Sequence, residues 1–393
     1  MIPAPLVRDR SHLRLGAAAF LADMSLYLIM TGVPYLVLAF GAGAVALGLV
    51  PVARGVPYSL STIWAGQLSE RGDRLRVARI TLLVAIIAAV AFVFVRSIAA
   101  LFGLLVVLGF TFAFYWPAVQ AALADLGARG VTRSLGWFNM AWSSGKATGF
   151  VLGGALLSGF GFPALFMAAA LGILGVFALV ALPVPRPVQE AVPECTILKP
   201  VSDRSRAFRR ASWTANAIAF GIASVLNLHY PHWLREIGQG EVLLGTYLGL
   251  VFGSQTLSFF LLARLPGWRH RVGPLLGLQA PMILALGALP FLRQPGAILA
   301  TAPLMGLGMG MAYFASLFYS VEAPIERGRN AGAHEAVLTL GSLVLPPLAG
   351  LAVETTNRLE SAYIFSAAVG GIGLVAQGLL LRGRAGMNHR TLG

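Results

Sequence analysis

The sequence is poor in charge and nearly devoid of cysteine. Only 11% of its 393 residues are Asp, Glu, Lys or Arg, against about 25% in a soluble domain. The single cysteine, Cys195, excludes an intramolecular disulfide. No Gly-x-x-x-x-Gly-Lys-Ser/Thr loop is present, which excludes ATP-driven work on this chain. No nucleophile elbow or metal-ligand pattern is found, so the chain is not read as an enzyme and no cofactor is expected. What replaces charge is apolar sequence: 57% of residues are hydrophobic, in recurring runs of twenty or more. A bilayer core about 30 Å thick needs about 20 apolar residues per helix. The chain is therefore a polytopic, all-α membrane protein.

Twelve spans are expected at 15–40, 44–65, 77–95, 98–123, 134–157, 161–183, 212–234, 242–263, 273–292, 296–320, 331–353 and 360–381. Of the 29 Lys and Arg, the segments on one side hold only Arg96, Arg235, Arg293 and Arg358. Arg54 and Lys146 fall inside spans, and the others lie on the side of the two termini. This asymmetry places both termini in the cytoplasm, as in a bacterial plasma (inner) membrane. The net charge of +14 then reflects topology and contact with the lipid bilayer, not nucleic acid. Met1 to Arg14 is basic like a signal n-region, but the following run is too long and lacks a cleavage site, so an uncleaved first helix is expected.

Proline and basic residues interrupt the apolar pattern between Pro183 and Arg210. The expected organisation is an N-terminal bundle over 1–183, a cytoplasmic linker over 184–211, and a C-terminal bundle over 212–393, six helices in each bundle. The halves echo each other. Gly72, Arg74, Arg76 and Val77 recur as Gly267, Arg269, Arg271 and Val272, and Arg133, Gly136, Gly145 and Gly154 recur as Arg329, Gly332, Gly341 and Gly350.

The segment Gly66-Gln-Leu-Ser-Glu-Arg-Gly-Asp-Arg-Leu-Arg76 is a knot of charge between two apolar runs, and so a loop at a membrane face. It resembles the Gly-x-Leu-x-Asp-Arg-x-Gly-Arg-x-Arg signature of the major facilitator superfamily, with Gly66, Leu68, Arg71, Arg74 and Arg76 matching and Glu70 in place of Asp. Asp73 stands where that family has Gly. The resemblance implies the twelve-helix major facilitator fold and alternating access, with the acid at Glu70 locking the inner seam near the start of the eleventh helix, around Gly328 to Ala331. Gly66, Glu70, Arg71, Asp73 and Arg74 are thus expected to gate. Asp125, Glu322 and Arg327, at the ends of the fourth and tenth spans, are gate candidates or ordinary surface charges. A second stretch, Gly145-Lys-Ala-Thr-Gly149-Phe-Val-Leu-Gly153-Gly154, places Gly145, Gly149 and Gly153 on one face for close packing, with Gly154 beside them. It is similar to the fifth-helix motif of proton-coupled drug antiporters, except that Phe150 replaces Pro. Their arginine in the fourth helix is absent here.

Charge within a span is costly and usually faces a cavity. Asp23, Tyr27 and Thr31 form a polar stripe in the first span; Arg54, Tyr58 and Thr62 form another in the second. Arg54 is about 18 Å above Gly66 at 1.5 Å per residue, near mid-membrane and level with Asp23, so the two could pair. Lys146 shares a stripe with Asn139 and Ser143; Glu335 follows His334 in the eleventh span, with Thr339 and Ser342 beyond. One reading is a watery cavity in which Asp23 or Glu335 carries a proton, and Arg54 and Lys146 bind an anionic group. The other is a static Asp23–Arg54 pair. His229 and His232 are spaced for a helical metal pair, but Pro231 between them and the lack of a third ligand argue for no metal site.

The expected activity is transport of a small-molecule organic solute by a secondary transporter, with the proton as coupling ion and efflux antiport as one form, by a protein functional as a monomer. The alternatives are an organic-anion facilitator or exchanger without proton coupling, and a non-transporting membrane sensor on the same fold.

Overall fold

The computed structural model describes residues 4–69, 74–126, 131–182, 202–322 and 327–382. Among them are eleven α-helices, three short 3-10 turns and no strand. The helices are α1 (Ala4–Ala39), α2 (Ala44–Ser69), α3 (Arg74–Ala91), α4 (Ile98–Leu126), α5 (Val131–Ala181) and α6 (Asp203–Glu236). They continue with α7 (Glu241–Arg264), α8 (Val272–Ala288), α9 (Pro295–Val321), α10 (Arg327–Thr356) and α11 (Ser361–Arg382). All eleven contain a stretch long and apolar enough to cross a bilayer. Large apolar side chains stand outward, among them Ile87, Leu284 and Ile372 at about 70% exposure. An aqueous surface would not carry such a band; a lipid-facing one does.

The fifth and sixth expected spans form one element. At 51 residues, α5 would measure about 76 Å if straight, more than twice the bilayer core. It is not straight. Gly161 has φ 76° and ψ −174°, backbone open to glycine and strained for most other residues. Contacts with α1 show what happens there. Before the break, a Cβ on Gly145 would run into the Phe20 carbonyl, one on Gly149 would meet Met24, and one on Gly153 would meet Thr31, so this arm runs parallel to α1. After it, Leu165 and Phe166 pack on Gly32 and Gly172 packs on Ser25, so the second arm runs back down α1. The chain doubles back at Gly161, and α1 lies against both arms.

Left-handed residues recur in register with the sequence echo. Gly41 (φ 72°) ends α1 and Gly238 (φ 74°) ends α6; Gly161 has its counterpart in Asn357 (φ 54°), between α10 and α11. After α1 and α6 this conformation releases the terminal carbonyls to short turn bonds, such as Ala42 N–H to the Val37 carbonyl at 3.2 Å and Gln239 N–H to the Leu234 carbonyl at 2.8 Å.

The helix expected from 212 starts at Asp203, capped by Ser202, whose Oγ accepts from the Ser205 N–H at 3.1 Å. Its first turns hold Arg204, Arg206, Arg209 and Arg210, too polar for hydropathy to reveal. Most of the expected linker lies outside the described residues.

Candidate functional site

Helix termini define two faces: one where α1 and α10 begin, called the terminal face, and the opposite, far face. At the far face the helices touch backbone to backbone. Gly154 of α5 and Gly245 of α7 are each so placed that a Cβ would lie 3.0 Å from the other's Cα. A Cβ on Gly48 of α2 would lie 2.5 Å from the Pro346 carbonyl of α10, and one on Gly350 would run into the Ala44 carbonyl. Beside that crossing the Val45 N–H, in the first turn of α2, donates to Glu354 Oε1 at 2.9 Å. Such contact needs residues without side chains, and in lipid it is close packing that holds helices together. Gly145, Gly149 and Gly153 therefore face α1, whereas Gly154 faces α7.

Toward the terminal face the same helices separate around a cavity of about 190 Å³. One water needs roughly 10–15 Å³ of such space, so a hydrated small solute fits. Eight of the polar residues singled out from the sequence line it: Asp23, Arg54, Lys146, Glu335, Tyr27, Tyr58, Thr339 and Ser342. Helical periodicity explains this convergence. Asp23 and Tyr27 are one turn apart on α1, Arg54 and Tyr58 one turn apart on α2, and each pair shares a face. The packing of Gly145 on Phe20 and Gly149 on Met24 sets Lys146 level with Asp23.

The four charges are not paired. No ion pair within 4.0 Å joins Asp23, Glu335, Arg54 or Lys146 to any described residue. Asp23 and Arg54 share the cavity without forming the static pair considered from their depth; helices at one depth can still present side chains in different directions. Asp23 is buried, Glu335 is exposed within the cavity, and Arg54 is half-buried with its Nε enclosed and lacking a hydrogen-bond partner. Lys146 is 5% exposed. Its ammonium lies 4.2 Å from the Tyr27 ring centroid and 4.0 Å from that of Phe252, with Phe220 at 5.8 Å. An ammonium over aromatic faces is worth up to about 2 kcal/mol when desolvated, which explains how a lysine is held here without a carboxylate.

Aromatic side chains supply much of the remaining wall. Phe150 stacks on Phe252 at 5.5 Å and 13° and meets Tyr27 at 5.0 Å. Trp142 meets Tyr313 edge-on at 5.4 Å. Trp116, Phe138 and Phe220 also line the space, as do Gln120, Ser224 and Asn227. Phe252, Phe220 and Trp142 were not singled out from the sequence, because only the fold brings α6 and α7 against α5. Phe150 stood out only as a departure from a motif.

Other expectations are placed elsewhere. Asn139 is buried outside the cavity lining, its Oδ1 accepting from Trp142 Nε1–H at 3.0 Å; the indole stands between it and the open space. His334 is buried too, with Nδ1 2.7 Å from Ser316 Oγ and 3.4 Å from Asn216 Nδ2. His229 donates from Nε2 to the Pro346 carbonyl at 3.0 Å, which ties α6 to α10. Glu322 Oε1 lies 2.9 Å from His270 Nε2, so its partner is the loop between α7 and α8. Glu70, Arg71 and Asp73 lie outside the described residues, as do the side chains of Arg74, Asp125 and Arg327 and the surroundings of Gly66.

The family model of the Major Facilitator Superfamily matches residues 15–333. No curated protein matches the chain. Among solved structures, a variant of the nucleoside transporter NupG superposes with a TM-score of 0.76 at 14% identity, covering 95% of this chain and 100% of that one. A bacterial homolog of the human lysosomal transporter Spinster, inward-facing and unoccupied, gives 0.65 at 17% identity, covering 96% and 95%. The same homolog in its occupied inward-facing form gives 0.69 at 15%, covering 95% and 94%. At such identities these likenesses concern the fold alone, and the family match carries the assignment. This chain, a multi-span helical membrane protein, belongs to the Major Facilitator Superfamily.

Proposed function

We propose that the protein is a proton-coupled secondary transporter that moves a small organic solute by alternating access, and that the structure is its inward-open state. Taking the arms of α5 on either side of Gly161 as separate spans gives twelve, six before the linker and six after it. In this reading the far-face glycine crossings close and part as the two halves rock, and the terminal face is cytoplasmic. The gating role that the resemblance assigns to Glu70 and the 66–76 loop belongs to the same proposal, as the lock of the opposite state.

The observation that carries the reading is a set of four charged side chains, without ion-pair partners, around a cavity that is closed by backbone contact on one side. A purely structural core would pair or exclude such charges, since each costs roughly 2.5–3.5 kcal/mol in a bilayer on insertion scales. Asp23 is the proton carrier, enclosed among Tyr27, Lys146 and Arg54 and within electrostatic reach of both cations. Glu335, exposed at the terminal-face side, passes protons between the cavity and water.

The test is flux in proteoliposomes carrying an imposed pH gradient. Wild type should drive solute movement that a protonophore abolishes, and Asp23→Asn should bind solute while losing its response to the gradient. Gradient-driven movement unchanged in Asp23→Asn would remove Asp23 from the mechanism. Movement indifferent to both pH and protonophore in the wild type would point to uncoupled exchange.

A further inference from the structure

We infer that the cargo is a small planar organic anion, its carboxylate held by Arg54 and its flat body laid on the aromatic wall. This inference rests on the transport reading above and adds the chemical class of what is carried.

The argument begins with charge. A guanidinium cannot shed its proton in a protein, so Arg54 is cationic in every state of the cycle. No carboxylate touches it here, although Asp23 and Glu335 share the cavity. Among the described residues, Arg54 has no carboxylate within 4.0 Å, no aromatic ring beneath it and no hydrogen-bond acceptor on its enclosed Nε. Lys146 differs, because its ammonium rests between Tyr27 and Phe252. An obligate cation, half-buried in a membrane cavity with an enclosed and unpartnered Nε, lacks the direct contact partner that a bound anion would supply.

A cationic cargo would leave that need unmet in the loaded state. A neutral cargo could donate and accept hydrogen bonds but could not balance the charge. An anionic cargo supplies the counter-ion, and a carboxylate matches the guanidinium fork with two parallel hydrogen bonds. The rest of the surface selects shape. Tyr27, Tyr58, Trp116 and Phe220, the partly exposed rings of the lining, offer faces and edges to a flat apolar body, backed by the buried Phe150–Phe252 stack. About 190 Å³ limits the cargo to a small molecule.

Charge conservation then joins the cargo to the proton. When the anion occupies Arg54, Asp23 keeps Lys146 beside it but loses the positive potential that Arg54 adds, and takes up one proton. The cavity gains one negative and one positive charge and keeps its net charge. When the anion leaves, Asp23 releases its proton and Arg54 is again the cation nearest in kind to hold it. Proton and anion thus bind together.

Three isosteric probes separate the possibilities: benzoate, benzamide and benzylamine, added to the full-length purified protein in lipid nanodiscs and followed by calorimetry at two buffer ionisation enthalpies. Benzoate should bind about tenfold or more tightly than benzamide, the range expected for hydrogen bonds to a charged group, and benzylamine should not compete. About one proton should be taken up per benzoate bound. Arg54→Gln should abolish benzoate binding, Arg54→Lys should weaken it, and Asp23→Asn should bind benzoate without proton uptake. Equal or better binding of benzamide or benzylamine, undiminished benzoate binding by Arg54→Gln, or no benzoate binding at millimolar concentration would each overturn the inference. The two readings fail separately. If a pH gradient moves benzylamine and not benzoate in proteoliposomes, transport stands and the anion assignment falls. If benzoate binds through Arg54 but no solute moves, the anion site stands and transport falls.

Discussion

The backbone N–H of Val45 donates to the carboxylate of Glu354 at 2.9 Å. The far end of α10 thereby supplies an anion to the first turn of α2, where unsatisfied N–H groups and the helix dipole favour one. The contact lies beside Gly48 and Gly350, where the two helices cross backbone to backbone on the far face.

Replacing the charge should loosen that closure. A carboxylate at an exposed helix N-terminus contributes about 0.3–1 kcal/mol, so Glu354→Gln should shift the balance toward far-face opening about two- to fivefold. Ala44 is buried beneath Gly350. Alkylation of Ala44→Cys, in a Cys195→Ser background, should speed up by that factor in Glu354→Gln, and an unchanged rate would show that the carboxylate does not hold the seam.

The glycine crossings should be less tolerant. A Cβ on Gly245 would lie 2.5 Å from the Phe150 carbonyl and 3.0 Å from the Gly154 Cα, with backbone on both sides and no flexible side chain to yield. Overpacking of this kind costs about 1–3 kcal/mol, enough to move a conformational equilibrium roughly ten- to hundredfold. Gly245→Val should lose transport while remaining folded, with the Ala44→Cys probe freely alkylated. Retained flux in Gly245→Val would mean that this crossing need not close during the cycle.

The ring cage of Lys146 makes an energetic prediction. Phe252→Leu keeps an apolar side chain but removes a face 4.0 Å from the ammonium, and should cost about 1–2 kcal/mol in unfolding assays. Lys146→Met should remove most of the sensitivity to Phe252→Leu, giving a double-mutant coupling of the same size. Additive effects would show that Phe252 acts through packing alone.

Away from the cavity, Gln279 of α8 and Gln377 of α11 exchange two buried amide hydrogen bonds at 3.0 Å each. Either Gln→Leu change alone strands a polar partner among apolar groups. Interhelical bonds within membranes average about 0.6 kcal/mol and reach about 1.7. Each single variant should lower the unfolding midpoint by an amount in that range, and the double variant should recover most of it. A double variant as unstable as the sum of the singles would show that the amides pack rather than bond.

The membrane class, the run of long apolar helices and the convergence of charge were legible because each follows from one helix at a time. Hydropathy marks a span, and a one-turn repeat puts Asp23 with Tyr27 and Arg54 with Tyr58 on single faces that the fold then turns inward. The gap expected between residues 157 and 161 corresponds to the break at Gly161. What could not be read depends on two helices at once. Nothing near Lys146 in the sequence announces Phe252, and nothing near Glu354 announces Val45, 309 positions away. Equal depth suggested a pair between Asp23 and Arg54, but depth leaves side-chain direction open. The stripe that joined Asn139 to Lys146 followed helical spacing correctly, yet Trp142 fills the space beside Asn139 and removes it from the cavity lining.

The reversal of α5 at Gly161 has a consequence for how the cavity charges are mounted. Its two arms grip α1 through Phe20, Met24 and Thr31 on one side and Ser25 and Gly32 on the other. Asp23 and Lys146 are thereby mounted on helices packed backbone to backbone. The ring of Phe252 sits on α7, across the seam. Any motion of that seam moves one plate of the Lys146 cage while the other, Tyr27, stays with α1. The ammonium of Lys146 thus bridges the seam, held by one ring from each side of it.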